Sequence, residues 1–165
     1  MEQGKIVKKI HITNKKYKTY VKVYGKLISE DDIPIIFIHG GPGATHNYLS
    51  SISNLKINEP IVFYDQINSG RSSSEYEDNM LRISNFIEQL HSIIIYFKIK
   101  KCHLVGHSWG SIIAHEYYLK KYISVESIIF YSPSLNIKLW QNQANIYMKD
   151  IKKSCNNCNY NKLYE

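Results

Sequence analysis

Gly106-His107-Ser108-Trp109-Gly110 is a G-x-S-x-G pentapeptide, a spacing that can mount a serine as a nucleophile on the sharp turn between a strand and a helix. A serine hydroxyl is a weak nucleophile at neutral pH. It needs a turn that exposes its Oγ, a base to take its proton, and donors for the oxyanion that forms on attack. Glycines at 106 and 110 leave a strained turn uncrowded. The helix that opens at Ser108 starts with unpaired N–H groups, and the N–H of Trp109 is the expected first donor. The second belongs on a loop after an earlier strand. His39-Gly40-Gly41-Pro42-Gly43 is such a loop, and Gly41 is assigned its N–H, with His39, Gly40, Pro42, Gly43, Gly106, His107 and Gly110 shaping the site. Taken alone, this glycine and proline cluster reads equally well as an ordinary tight turn. Two such loops at the carboxyl ends of parallel strands favour a site, because that is where α/β sheets place theirs.

Other ionisable groups are weaker candidates. Asp65 or Arg71, in Tyr64-Asp65-Gln66-Ile67-Asn68-Ser69-Gly70-Arg71-Ser72, could order the site through hydrogen bonds, but a structural pairing within the loop is the favoured reading. His39 and His107 border the site, and His39 is expected to order the oxyanion loop rather than act as base. His46 is not expected to reach Ser108, and His91, beside an apolar helical stripe, reads as structural or solvated. Cys155-Asn156-Asn157-Cys158 has the spacing of half a zinc site, without a second pair to complete four ligands. With Cys102 the cysteines are odd in number, so reduced thiols are the simpler expectation.

The elements that must position Ser108 follow from hydrophobic period. Ile6 to Thr13 and Tyr17 to Leu27, separated by Asn14-Lys15-Lys16, predict a hairpin. Pro34 to Ile38 and Ile61 to Tyr64 are short continuous apolar runs, as in strands buried on both faces. Between them, Thr45 is a candidate cap for a short helix carrying Tyr48, Leu49, Ile52 and Leu55 on one face, and Asp65 to Asn79 reads as loop. Ile83, Phe86, Ile87, Leu90, Ile93, Ile94 and Phe97 recur at helical spacing. Cys102 to Val105 predicts a strand, Ser108 to Tyr122 a helix, Val125 to Tyr131 a strand and Lys138 to Ile151 a helix. Strands alternating with helices make an α/β sheet.

Composition narrows the function classes. With 44% hydrophobic and 21% charged residues, the 165-residue chain has the apolar content to fold, yet large single-domain α/β folds often run to about 200–250 residues. The longest apolar runs fall far short of the roughly 20 residues that span a bilayer, and no apolar run backs the charged N-terminus, so a cytoplasmic address without membrane partners is expected. The net charge of +7 comes from lysines spread along the chain, in a sequence rich in Lys, Asn, Ile and Tyr. That distribution argues against a nucleic-acid partner.

Together, HGGPG at 39–43, YDQINSGRS at 64–72 and GHSWGS at 106–111 resemble proline iminopeptidases, serine aminopeptidases of the α/β-hydrolase fold, in motif, order and spacing. The similarity runs from Tyr17 to Ile151 and includes Tyr131-Ser132-Pro133-Ser134 and Trp140. It implies a partial α/β-hydrolase fold, an N-terminal β-hairpin followed by parallel strands alternating with helices. Residues 1–135 would form the N-terminal part of the core and 136–165 the start of a helical cap. It also implies a small peptide with an N-terminal proline as substrate, attack by Ser108, no metal and no organic cofactor.

The chain departs from that pattern in its second half. In α/β-hydrolases an Asp or Glu and then a His follow the serine. After Ser108 the only histidine is His115, in the elbow's own helix, and neither Asp150 nor Glu165 has a later histidine to orient. The expectations are a chain that stops before its catalytic acid and base, little activity in isolation, and an exposed sheet edge after Val125 to Tyr131 that invites self-association or a complementing chain. A non-catalytic derivative binding peptides or a partner, and an esterase or other small-molecule hydrolase, are the competing readings.

Overall fold

The computed structural model describes residues 7–13, 17–27, 32–55, 57–74, 81–134 and 136–154. The elements follow the alternation in the sequence: β1 (Val7–Thr13), β2 (Tyr17–Tyr24), β3 (Ile35–Ile38), a 3₁₀ helix (His46–Asn54), β4 (Ile61–Tyr64), β5 (Ser73–Ser74), α1 (Ile83–Tyr96), β6 (Lys101–His107), α2 (Trp109–Lys120), β7 (Ser124–Tyr131) and α3 (Ile137–Ser154). The chain divides after Pro133 into two compact units, and the second holds α3. The Asn136 side chain accepts the Leu139 N–H at 2.9 Å, capping α3.

The strands form one sheet in the order β1-β2-β4-β3-β6-β7, with β5 added to β2. The hairpin β1–β2 is antiparallel and β2 joins β4 antiparallel, whereas β4, β3, β6 and β7 run parallel. Parallel strands need cover on both faces, and the central ones have it. Along β3 and β4, Ile36, Ile38, Val62 and Tyr64 enter the larger core with Phe86, Leu90, Ile93 and Ile94 of α1 and Ile113 and Tyr117 of α2. Phe37, Ile61 and Phe63 point the other way, where Leu49 of the 3₁₀ helix covers them. The register sets Ile38 beside Gly106 and so brings the carboxyl ends of β3 and β6 together.

Two segments differ from the sequence expectation. The short helix opened by Thr45, whose Oγ1 accepts the Asn47 N–H at 3.3 Å, is 3₁₀, and the four residues expected on one face do not share it. At about three residues per turn Leu49 and Ile52 align, while Tyr48 turns off that face and Leu55 falls beyond the helix, where both are exposed. The loop after Asp65 contributes β5, which pairs with Tyr17 and Lys18.

Among the described residues β7 lies at the edge of the sheet, paired with β6 alone, and Ile129 and Tyr131 are 58% and 57% exposed. No helix among the described residues is long and apolar enough to cross a membrane.

Leu104, fully buried in β6 between β3 and β7, tests the core. Leu104→Ala is expected to lower stability by about 3 kcal/mol in urea unfolding, because the central strands have little freedom to collapse into the cavity.

Candidate active site

Ser108 is the single residue between β6 and α2, and its backbone sits at φ 49°, ψ −114°. A non-glycine residue held there carries about 1–3 kcal/mol of strain, so its neighbours must fix it. They do: the Ser108 N–H donates to the Tyr131 carbonyl at 3.0 Å, and the Ser108 carbonyl accepts the Ser111 N–H at 3.0 Å. The Ser111 hydroxyl donates to the Gly106 carbonyl at 2.7 Å, fastening the helix to the strand end.

The flanking glycines serve a backbone approach more than free space around the serine. A Cβ on Gly110 would run into the Ile38 carbonyl oxygen and lie 2.7 Å from that of His39. One on Gly106 would lie 2.6 Å from the Gly110 oxygen and 2.7 Å from the Ser111 Cα. The first turn of α2 therefore rests directly on the carboxyl end of β3.

That contact brings the second motif to the first. A Cβ on Gly40 would be 3.3 Å from the Ser108 Cβ and 2.9 Å from the His107 Nδ1. His39, wholly buried, accepts the Gln66 N–H on Nε2 at 2.9 Å, which leaves the proton on Nδ1 to be donated to the Gly40 carbonyl at 2.7 Å. Burial pushes the His39 pKa down, in keeping with a neutral ring. The peptide plane is rigid, so fixing the Gly40 carbonyl against His39 turns the Gly41 N–H the opposite way. Gly41 has φ 130°, and a Cβ there would meet the Gly43 N at 2.7 Å. Gly41, Pro42 and Gly43 are exposed. Trp109 is the first residue of α2, where the helix leaves its N–H unpaired, and its indole packs edge-on against Phe86 at 5.6 Å.

The third loop is ordered around Asp65. One carboxylate oxygen accepts the His46 N–H at 3.0 Å and lies 2.6 Å from the His46 Nδ1, and the other accepts the Arg71 N–H at 2.9 Å. Burial raises the Asp65 pKa, but the bonds from the His46 side chain and from the Arg71 and His46 N–H groups outweigh it and hold the carboxyl below its ordinary value. The Arg71 guanidinium stacks over Tyr20 at 5.1 Å. His46, packed on Tyr20 and Phe63, is buried with its Nδ1 held by Asp65.

The other histidines are also engaged. His107 meets the Tyr48 hydroxyl through Nδ1 at 2.6 Å, His91 meets Tyr117 at 3.0 Å and stacks on Tyr122, and His115 lies beside Glu116 with its side chain 45% exposed. Burial pushes the Cys102 thiol up to about 12. Among the described residues no group of three or more His, Cys, Asp or Glu could hold a metal. The side chain of Asp150 and all of Cys155, Cys158 and Glu165 lie outside the described residues.

Three residues of this region escaped the sequence reading: Tyr48, Gln66 and Gln89. The Gln89 amide donates to Thr19 at 2.9 Å and to the Asp65 carbonyl at 3.3 Å, its oxygen accepts the Ile67 N–H at 3.1 Å, and the Gln66 amide donates to the His39 carbonyl at 2.6 Å. A glutamine inside the apolar stripe Phe86, Ile87, Leu90 was the available sign, since a buried amide must find partners.

The α/β hydrolase fold family matches residues 33–153. The chain belongs to that family. This α/β hydrolase chain is 33% identical over 132 residues to a proline iminopeptidase of Heyndrickxia coagulans, an alignment covering 78% of the chain and 46% of the relative. It is 35% identical over 127 residues to the Levilactobacillus brevis proline iminopeptidase, covering 75% and 42%. The fold matches the Mycobacterium smegmatis proline iminopeptidase with a TM-score of 0.74 at 22% identity, over 90% of this chain and 50% of that one. VinJ matches with a TM-score of 0.76 at 26% identity, over 84% and 48%. The chain spans about half the length of the curated relatives it matches.

Because the Asp65 carboxyl is held below its ordinary pKa, it stabilises the fold above the unfolded aspartate value of about 3.9, and that contribution is lost as pH falls through the folded value. Asp65→Asn is expected to cost about 3 kcal/mol near neutrality and to flatten the acid limb of stability against pH. Urea unfolding across pH 3–7 reads both effects.

Proposed function

We propose that this chain carries the nucleophile and oxyanion hole of a proline iminopeptidase-like serine hydrolase that releases N-terminal proline from small peptides. The observation that carries the reading is the strained backbone of Ser108 at the strand-to-helix turn, with Gly40 of the HGGPG loop packed against it. The kinship to proline iminopeptidases supports the substrate class.

In this mechanism the Ser108 Oγ adds to the carbonyl carbon of the N-terminal prolyl residue and passes its proton to a general base. The oxyanion of the tetrahedral intermediate is received by the N–H groups of Gly41 and Trp109. Collapse expels the peptide amine, which takes the proton, and water then releases proline from the acyl-enzyme. The general base and its orienting carboxylate are proposed to come from residues that this sequence does not contain, because His39, His46 and His107 are engaged as described and His115 lies with Glu116. Residues 136–165, with α3, are proposed as the start of a cap that selects the acyl group.

The experiment is an assay of the polypeptide as isolated from its source cells, with a prolyl anilide compared against simple acyl esters. Prolyl turnover that is lost in Ser108→Ala supports the reading, whereas preference for simple esters moves it to an esterase. The purified 165-residue chain is expected to turn over no faster than Ser108→Ala, because loss of triad members costs several orders of magnitude. Ser108-dependent turnover by that chain would overturn the assignment of the base. A native polypeptide of this length without activity would favour a peptide- or partner-binding derivative.

The exposed edge of β7 adds a proposal about assembly. Edge strands template further pairing unless charge, proline or a bulge guards them; β7 shifts register at Glu126, and beyond it the outer half, Ile128-Ile129-Phe130-Tyr131, carries no charge or proline. The chain is expected to self-associate in sedimentation velocity as concentration rises, and Ile129→Lys to reduce it. A monodisperse monomer throughout would count against this.

A further inference from the structure

We propose that Tyr48 is a positioning residue for the oxyanion loop: its hydroxyl accepts the Gly40 N–H and donates its own proton to the His107 Nδ1, leaving Gly41 as the loop's donor. The consequence for catalysis rests on the proposed role of Ser108; the hydrogen-bond arrangement itself does not.

Tyr48 stands on the 3₁₀ helix. Its first residue, His46, is fastened to Asp65 through backbone and side chain, so Tyr48, two residues on, leaves an anchored segment. The ring is about half exposed, yet the hydroxyl lies 2.8 Å from the Gly40 N and 2.6 Å from the His107 Nδ1. The rings of Tyr48 and His107 meet edge to face at 5.3 Å, and His107 also packs on Tyr131 at 4.9 Å.

An amide N–H can only donate, so the hydroxyl accepts from Gly40 and has its own proton free to give to Nδ1, the direction assigned in this proposal. His107 is then the Nε2–H tautomer. Burial raises the Tyr48 pKa against the lowering effect of the Gly40 hydrogen bond, so the phenol retains the proton it donates.

The consequence reaches both peptide planes of Gly40. Tyr48 holds the plane before it through the N–H, and His39 holds the plane after it through the carbonyl. A glycine has wide backbone freedom, and here both flanking planes are tied down. That removes the Gly40 N–H from the set of oxyanion donors and presents the Gly41 N–H in a fixed direction. Donors fixed before reaction need no reorganisation when charge develops.

The test is ¹⁵N and amide-exchange NMR on the 165-residue chain, comparing wild type, Tyr48→Phe and His107→Gln. In the wild type, His107 is expected to carry its proton on Nε2. Tyr48→Phe is expected to speed Gly40 amide exchange about tenfold and to mix the His107 tautomers, with the other β3 and β6 amides unchanged. His107→Gln, which leaves the Tyr48 hydroxyl in place, is expected to keep Gly40 protected. A wild-type proton on Nδ1 overturns the proposal, as do Gly40 exchange and His107 nitrogen signals that Tyr48→Phe leaves unchanged. None of these readouts needs turnover, so they decide the role of Tyr48 even if the Ser108→Ala assay removes the hydrolase reading.

Discussion

The start of α2 lies in direct backbone contact with the end of β3, and the site depends on that contact. No side chain larger than a hydrogen fits at Gly110 against the Ile38 carbonyl, and Gly106 is similarly pressed by the Gly110 backbone. Because β3 and β6 are paired in parallel register with Ile38 beside Gly106, the approach delivers the loop after β3 to the turn after β6. Ser108 and Gly40 become neighbours by this geometry, although they lie far apart in sequence. The strained turn at Ser108 is carried by ordinary hydrogen bonds, joining Ser108 to Tyr131 and Ser111 and the Ser111 hydroxyl to Gly106, which let the surrounding sheet hold a conformation that an isolated peptide would leave.

Around this contact the loops are joined by a buried polar network rather than by apolar packing. The Asp65 N–H donates to the Tyr20 carbonyl, its carbonyl accepts from Ser72 and Gln89, and its carboxylate holds His46 and Arg71. This one residue therefore links β2, the 3₁₀ helix, the third loop and α1. His39 and Gln66 form a second group of the same kind under the oxyanion loop. Buried polar groups of this sort are costly when a partner is missing, so the bonds they do make specify loop positions more sharply than apolar contacts could.

The sheet shows the complementary constraint. β3 and β4 are covered on both faces, by α1 and α2 on one and by the 3₁₀ helix on the other, and their side chains alternate between two cores. β7 has a similar apolar composition in Val125, Ile128, Ile129 and Phe130, yet only Val125 and Ile128 pack against the core and the rest of the strand is exposed. Composition makes a strand, but cover on its faces decides whether it is core.

Several features were legible in the residues alone. The strand-turn-helix context of Ser108, the hairpin, the short buried strands and the α1 stripe follow from local glycine placement and hydrophobic period, which act over a few residues and survive without knowledge of the fold. The family resemblance likewise rested on three local motifs, and the match over residues 33–153 agrees with it. What required the tertiary structure was every relation across the chain. The glycines at 106 and 110 read as clearance for a nucleophile, whereas Gly110 admits the backbone at the end of β3 and Gly106 admits the first turn of α2. Tyr48 read as sharing one face of a short helix with Leu49, Ile52 and Leu55, whereas 3₁₀ winding turns its hydroxyl to Gly40 and His107. His46 and Asp65 were separate polar residues in sequence and are one buried pair in the fold. Period and propensity describe which side of an element is apolar, but a hydrogen-bond partner many residues distant is chosen only when the packed sheet has set the distances.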